Sequence, residues 1–241
     1  MRAFSNAIYF FKRRILIGFS IPKNALVIDI GSGDKPFWRA DVLLDNLTLG
    51  NSQRISGMST VTSMGIFVNG DITNTKFKDK VFDFSYCTHL LEHVENPEAA
   101  IKEIMRISKA GYLEVPNGLI ECIRPFISHL WFIFYFDNQL VFYRKSKNMH
   151  NILDKNGKNY WYMLESMHDP FIRLNWKGKI NYKIIEETKD LESYVLKKYS
   201  RHPAKNSSNL YISTIKIMRK LFYKKKWLDL KKIMKTDLIS S

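Results

Sequence analysis

The chain of 241 residues has only two cysteines, Cys87 and Cys122. Two thiols build neither a disulfide framework nor a four-cysteine zinc site, so both are read as reduced. Cys87 sits in an apolar run and is expected in the core. No apolar run approaches the roughly 18 residues needed to span a bilayer. Residues 8–17 mix apolar and basic side chains without the order or cleavage site of a secretory signal, and the expectation is a cytoplasmic protein. No internal repeat and no Gly/Ser linker divides the chain. Residues 1–138 almost lack net charge, with 15 Lys/Arg against 14 Asp/Glu, whereas residues 139–241 hold 23 against 9. Nearly all of the +15 therefore lies in the C-terminal part. Such asymmetry points to an anionic partner (nucleic acid, a phosphorylated substrate or a membrane surface) or to a solvated basic surface.

What is present is a series of short apolar runs separated by turn signals. Residues 1–20 have the pattern of an amphipathic helix ended by Pro22. Buried strands are expected at 25–30, 42–45, 64–68, 81–87 and 112–115. Between the last two lies the clearest helix: Asn96 suits the N-cap, Pro97 the first helical position and Glu98 the positive helix start. Ile101, Ile104 and Met105 follow at helical spacing, and Gly111 closes the element. Strands alternating with helical stretches imply an α/β fold with a mostly parallel sheet. Only about ten residues, 32–41, join the first two strands, too few for an ordinary crossover helix, which must shrink to a turn or less.

Beyond Pro116 the pattern changes. Residues 131–136 and 140–143 are aromatic-rich runs around Asp137 and Asn138, which suit a hairpin turn. Their aromatics either stack on a sugar or lipid-linked group, form a dimer face, or fill a small core. A further strand is expected over 179–185. Residues 215–238 mix Ile, Leu, Trp and Lys at near-helical spacing, which permits a helix docked on the protein or lying on an anionic membrane. The expected organisation is an N-terminal helix over 1–24, a core over 25–120, and a substrate-recognition and fold-completing region over 121–241.

With only 11 glycines in the chain, Gly31 and Gly33 directly after a buried strand stand out. A residue without Cβ lets backbone approach a ligand closely. Asp45 and Asp71 end the next two strands, so both belong to the carboxyl edge, where open α/β sheets bind ligands. This ordered set, Asp29, Gly31, Ser32, Gly33, then Asp45, then Gly70, Asp71 and Ile72, resembles class I S-adenosylmethionine (SAM)-dependent methyltransferases. Residues 76–84, 89–94 and 96–98 resemble the fourth-strand region of the "methyltransferase type 11" group. The likeness covers roughly residues 25–117.

The resemblance implies a Rossmann-like fold and SAM as cofactor. It implies that Asp29, Gly31, Ser32 and Gly33 form the first motif, that Asp45 receives the ribose hydroxyls, and that Asp71 and Ile72 hold adenine. Lys35 stands where a third glycine is usual. It also implies methylation, most simply O-methylation, of a small molecule or a sugar of a surface glycan. The alternatives are an RNA methyltransferase, in keeping with the basic half, and a non-catalytic binding module. Methyl transfer to a hydroxyl needs a base, and His89, just past the fourth strand, is the leading candidate. His129, His150, His168 and Asp137 are the others. His89, Glu92 and His93 also fit the H-x-x-E-H zinc-peptidase pattern, but the context is that of a SAM protein. No metal is assigned on these grounds, and Glu92 and His93 are expected to pack or cap.

Overall fold

The structure is a computed structural model, and it describes residues 11–46, 59–118, 121, 126, 128–146 and 171–186. The calls on Cys122, His150, His168 and the basic segment 215–238 lie outside these residues. The chain divides into two compact units. The described residues of the first are 11–46, 59–87 and Glu103–Gly111; those of the second are Thr88–Lys102 and the rest from Tyr112 onward.

The first unit opens with a helical segment, π-type over Phe11–Leu16 and continuing as α1, Ile17–Ser20. It is built on β1 (Val27–Ile30), β2 (Val42–Asp45), β3 (Ile66–Asn69) and β4 (Phe84–Thr88). β1 pairs parallel with β2 and with β4, and β2 pairs parallel with β3. The order β3-β2-β1-β4 is that of a Rossmann-like sheet, with its ligand edge at the carboxyl ends of the strands. β1 is buried along its whole length, as a central parallel strand covered on both faces should be.

No helix joins β1 to β2, as the short spacing required. Side chains anchor the crossover instead. The Asp29 carboxylate accepts the Phe37 N–H at 2.6 Å, and Asp41 accepts the Val27 N–H at 2.9 Å. Arg39 donates to the carbonyls of Pro22 at 2.8 Å and Ala25 at 3.2 Å. Phe37, Trp38 and Ala40 supply the apolar cover that a helix would have given. Phe37 stacks on Tyr86 with centroids 4.1 Å apart. Gly18 of α1 lies so close to the Trp38 indole that a Cβ there would meet it at 2.4 Å.

The helix α2 (Pro97–Ile107) starts where expected, with Asn96 Oδ1 accepting the Ala99 N–H at 2.9 Å as its N-cap, but it ends at Ile107, and Gly111 lies in the following strand rather than closing the helix. It leads into β5 (Ala110–Pro116).

The second unit contains an antiparallel hairpin of β6 (Trp131–Phe136) and β7 (Gln139–Arg144). Asp137 and Asn138 turn it with φ of 48° and 60°, the left-handed pair that a tight hairpin demands. β9 (Tyr182–Ile185) joins β7 in parallel, and β8 (Phe171–Lys177) precedes it. Trp131, Phe132, Phe134 and Phe142 are buried, so these aromatics are core, while Tyr135 stays 41% exposed. The hairpin stem grips the short 3₁₀ turn Leu91–His93. Leu130 N donates to Glu92 O at 2.7 Å, and Trp131 Nε1 donates to Val94 O at 2.8 Å. No helix among the described residues is long and apolar enough to cross a membrane.

Candidate functional site

In the first unit the expected cofactor residues gather at the carboxyl ends of β1 and β2. Gly31 and Gly33 have φ of 72° and 52°, a conformation glycine adopts without strain. The N–H groups of Gly31 and Ser32 donate to Leu44 O at 2.8 and 3.2 Å. The Gly33 N–H donates to Asp45 Oδ2 at 2.6 Å, which ties the turn to the end of β2. Gly33 O accepts the Val61 N–H at 2.9 Å, so the segment before β3 crosses the turn. Lys35, at the place of the third glycine, donates its N–H to Ser32 O at 3.3 Å and belongs to the same turn.

Asp71 follows β3 and is exposed. Its Oδ1 accepts from the Thr73 N–H at 2.7 Å and the Thr73 hydroxyl at 2.8 Å, an Asx-turn, and the neighbouring Ile72 is buried. Asp29 is buried, and burial pushes its carboxyl up to about 7, against the opposing pull of the Phe37 N–H and of Arg14.

Ser32 Oγ and Asp34 Oδ2 are buried and make no hydrogen bond among the described residues. Buried polar atoms are rarely left so, and two beside a glycine turn fit a ligand that brings its own donors and acceptors. The ammonium, carboxylate and hydroxyl groups of SAM are of that kind.

In the second unit His89 directly follows β4 and adopts a left-handed φ of 54°. Its Nδ1 lies 3.3 Å from Glu92 Oε1, and its Nε2 lies 3.0 Å from Glu114 Oε1. Glu114 is buried within β5 and also accepts from Tyr112 at 2.7 Å and from Arg173 of β8 at 3.1 Å. The Phe171 ring stands edge-on to His89, with centroids 4.7 Å apart. Residues 91–93 form a 3₁₀ turn, so His89 and His93 are not successive positions on one helix face.

His93 instead meets His129, with ring centroids 4.8 Å apart, and with Glu92 the two form a group whose ligand atoms lie within 4.8 Å of one another. His129 Nδ1 lies 2.9 Å from Glu121 Oε2, and Glu121 also pairs with the buried Lys145. Burial alone would raise the Glu121 carboxyl, but His129 and Lys145 hold it down at about 2. Burial would likewise raise Glu92, which His89, His93 and His129 keep below the usual range, while burial lowers His93. Sequence reasoning missed Glu114, Glu121, Lys145 and Arg173. An acid inside the apolar run 112–115 was the available signal, because a buried carboxylate needs a partner. Asp137, the remaining candidate base, is an exposed hairpin-turn residue.

Residues 50–113 match the family model described as "Methyltransferase domain". No match was found among curated protein sequences. Among solved structures the chain is similar to a SAM-dependent methyltransferase of Thermotoga maritima, a possible histamine N-methyltransferase. That pair shares 22% identity over 48% of this chain and 60% of that one, with a TM-score of 0.33. It is also similar to the YcgJ protein of Bacillus subtilis, at 18% identity over 49% and 60% with a TM-score of 0.35. A third is the PH0226 protein of Pyrococcus horikoshii, at 19% over 63% and 80% with a TM-score of 0.38. The chain spans about 60% of the length of the first two.

Proposed function

We propose that the α/β half of this chain, where residues 50–113 match a methyltransferase domain model, is a class I SAM-dependent methyltransferase domain and that the protein transfers the methyl group of SAM to a hydroxyl of a small-molecule or sugar acceptor, as in glycan modification. The observation that carries the reading is the glycine turn after β1, tied to Asp45 at the end of β2 and flanked by the orphaned Ser32 and Asp34 side-chain atoms. SAM supplies a methyl group already activated on a sulfonium. In this reading Asp45 receives the ribose hydroxyls, Asp71 and Ile72 hold adenine, and Gly31 and Gly33 leave room for the cofactor. Ser32 and Asp34 take the charged methionine end, and Asp29 braces the turn through Phe37.

His89 takes the proton from the acceptor hydroxyl. Glu92 and Glu114, 3.3 and 3.0 Å from its two ring nitrogens, fix the imidazole in place beside the end of β4. The test is transfer of labelled methyl from SAM to a panel of sugars. His89→Gln should lower kcat by about 10²–10⁴-fold, the usual worth of a general base, and leave the SAM dissociation constant unchanged. An unchanged rate would move the base elsewhere. Transfer to RNA alone, weakening steeply with salt, would favour the nucleic-acid reading.

We also propose that the basic segment 215–241 keeps the enzyme near an anionic membrane or lipid-linked acceptor. Flotation with anionic liposomes at low salt tests it, and full-length protein that stays with the unbound fraction would refute it.

A further inference from the structure

The group formed by Glu92, His93 and His129 has the hydrogen-bonded support of a metal site. His93 Nδ1 lies 2.9 Å from Ser128 O, and a carbonyl only accepts, so Nδ1 carries the ring proton. His129 Nδ1 lies 2.9 Å from the Glu121 carboxylate and is protonated for the same reason. With Nδ1 so engaged, Nε2 is the ring nitrogen each imidazole can offer to a ligand. Glu121 is itself fixed by Lys145 and by the Phe126 N–H at 2.7 Å. A carboxylate or carbonyl that orients a histidine through its second nitrogen is the regular support of metal-bound imidazole.

Glu92 provides an independent observation. Its side chain is fully buried, and while Oε1 faces His89, Oε2 has no hydrogen-bond partner among the described residues. Two imidazoles and a carboxylate with an oxygen left without a hydrogen bond, their ligand atoms within 4.8 Å of one another, make a donor set that a cation can bridge.

We propose that Glu92, His93 and His129 bind a zinc ion. Two imidazoles and one carboxylate suit zinc, whereas calcium and magnesium prefer an all-oxygen shell. Zinc bonds of about 2.0–2.1 Å place tetrahedral ligand atoms about 3.4 Å apart, so a 4.8 Å spacing closes by small side-chain rotations. Three protein ligands leave a fourth position for water or another ligand. The ion joins the Leu91–His93 turn to the segment entering β6. The site stands independently of the methyl-transfer reading, because its test uses neither SAM nor acceptor.

Full-length protein, stripped with a chelator, is titrated with Co²⁺ and then with Zn²⁺. The proposal expects one equivalent of cobalt to give the visible bands of a four-coordinate ion, and zinc to displace it. Glu92→Gln, which keeps the side chain's shape, and His129→Ala should each weaken binding at least tenfold. Circular dichroism identifies any variant that fails to fold, and the isosteric Glu92→Gln keeps the test decisive if His129→Ala does not. Wild-type protein that binds neither ion, or Glu92→Gln that binds as tightly as wild type, would overturn the site.

Discussion

Four carboxylates of the first unit, Asp29, Asp41, Asp45 and Asp83, each accept a backbone N–H, from Phe37, Val27, Gly33 and Leu26. The buried carboxylates of the second unit are grouped around histidines. Glu92 faces His89, Glu114 faces His89 and Arg173, and Glu121 faces His129 and Lys145. The first pattern fixes backbone: it holds a crossover without a helix and shapes a glycine turn. The second holds protons and charges in defined places. In the proposed reading the first arrangement serves cofactor binding and the second serves the acceptor.

The sharpest way to break the comparison is to remove a cation from each unit. Lys145 is buried against Glu121, so Lys145→Ala should cost about 3–5 kcal/mol by leaving a buried charge less compensated. Lys109, 58% exposed where it pairs with Asp83, should cost no more than about 1 kcal/mol on the same change. Urea unfolding of both variants measures this, and equal losses would erase the distinction.

A smaller effect concerns pH. Asp29 titrates at about 7 in the folded chain and near 3.8 when unfolded, so the folded state holds the proton more tightly. Stability from this group is therefore greatest below pH 4 and falls as pH rises to about 7, by about 4 kcal/mol in all at about 1.4 kcal/mol per pH unit. Asp29→Asn should remove that slope, seen as a urea midpoint that no longer drops between pH 5 and pH 8. A slope that survives belongs to another group.

How much of this was legible in the sequence differs between the same two regions. Short apolar runs located β1 and β2, and Asn96-Pro97 located α2, because buried parallel strands and capped helices carry local signals. β3 begins at Ile66 rather than Met64: Gly65 packs so closely on Asp41 O that an added Cβ would lie 3.0 Å from it. The hairpin was also local, since Asp137 and Asn138 accept left-handed backbone. β8 was missed, because residues 171–177 interleave Arg, Asn and Lys with apolar side chains. The meeting of His93 with His129 could not be read, because it depends on a tertiary bond between Leu130 and Glu92. A short motif records neighbours in sequence, and the third group comes from 36 residues further along the chain.

Isothermal titration of the full-length protein with SAM tests most directly the proposal that the first unit cradles the cofactor. One molecule should bind per chain. Asp45→Ala should weaken binding by about 1.5–3 kcal/mol, roughly 10–150-fold, the range for a hydrogen bond to a charged group. Absence of SAM binding by the folded wild type, or an unchanged dissociation constant in folded Asp45→Ala, would contradict it.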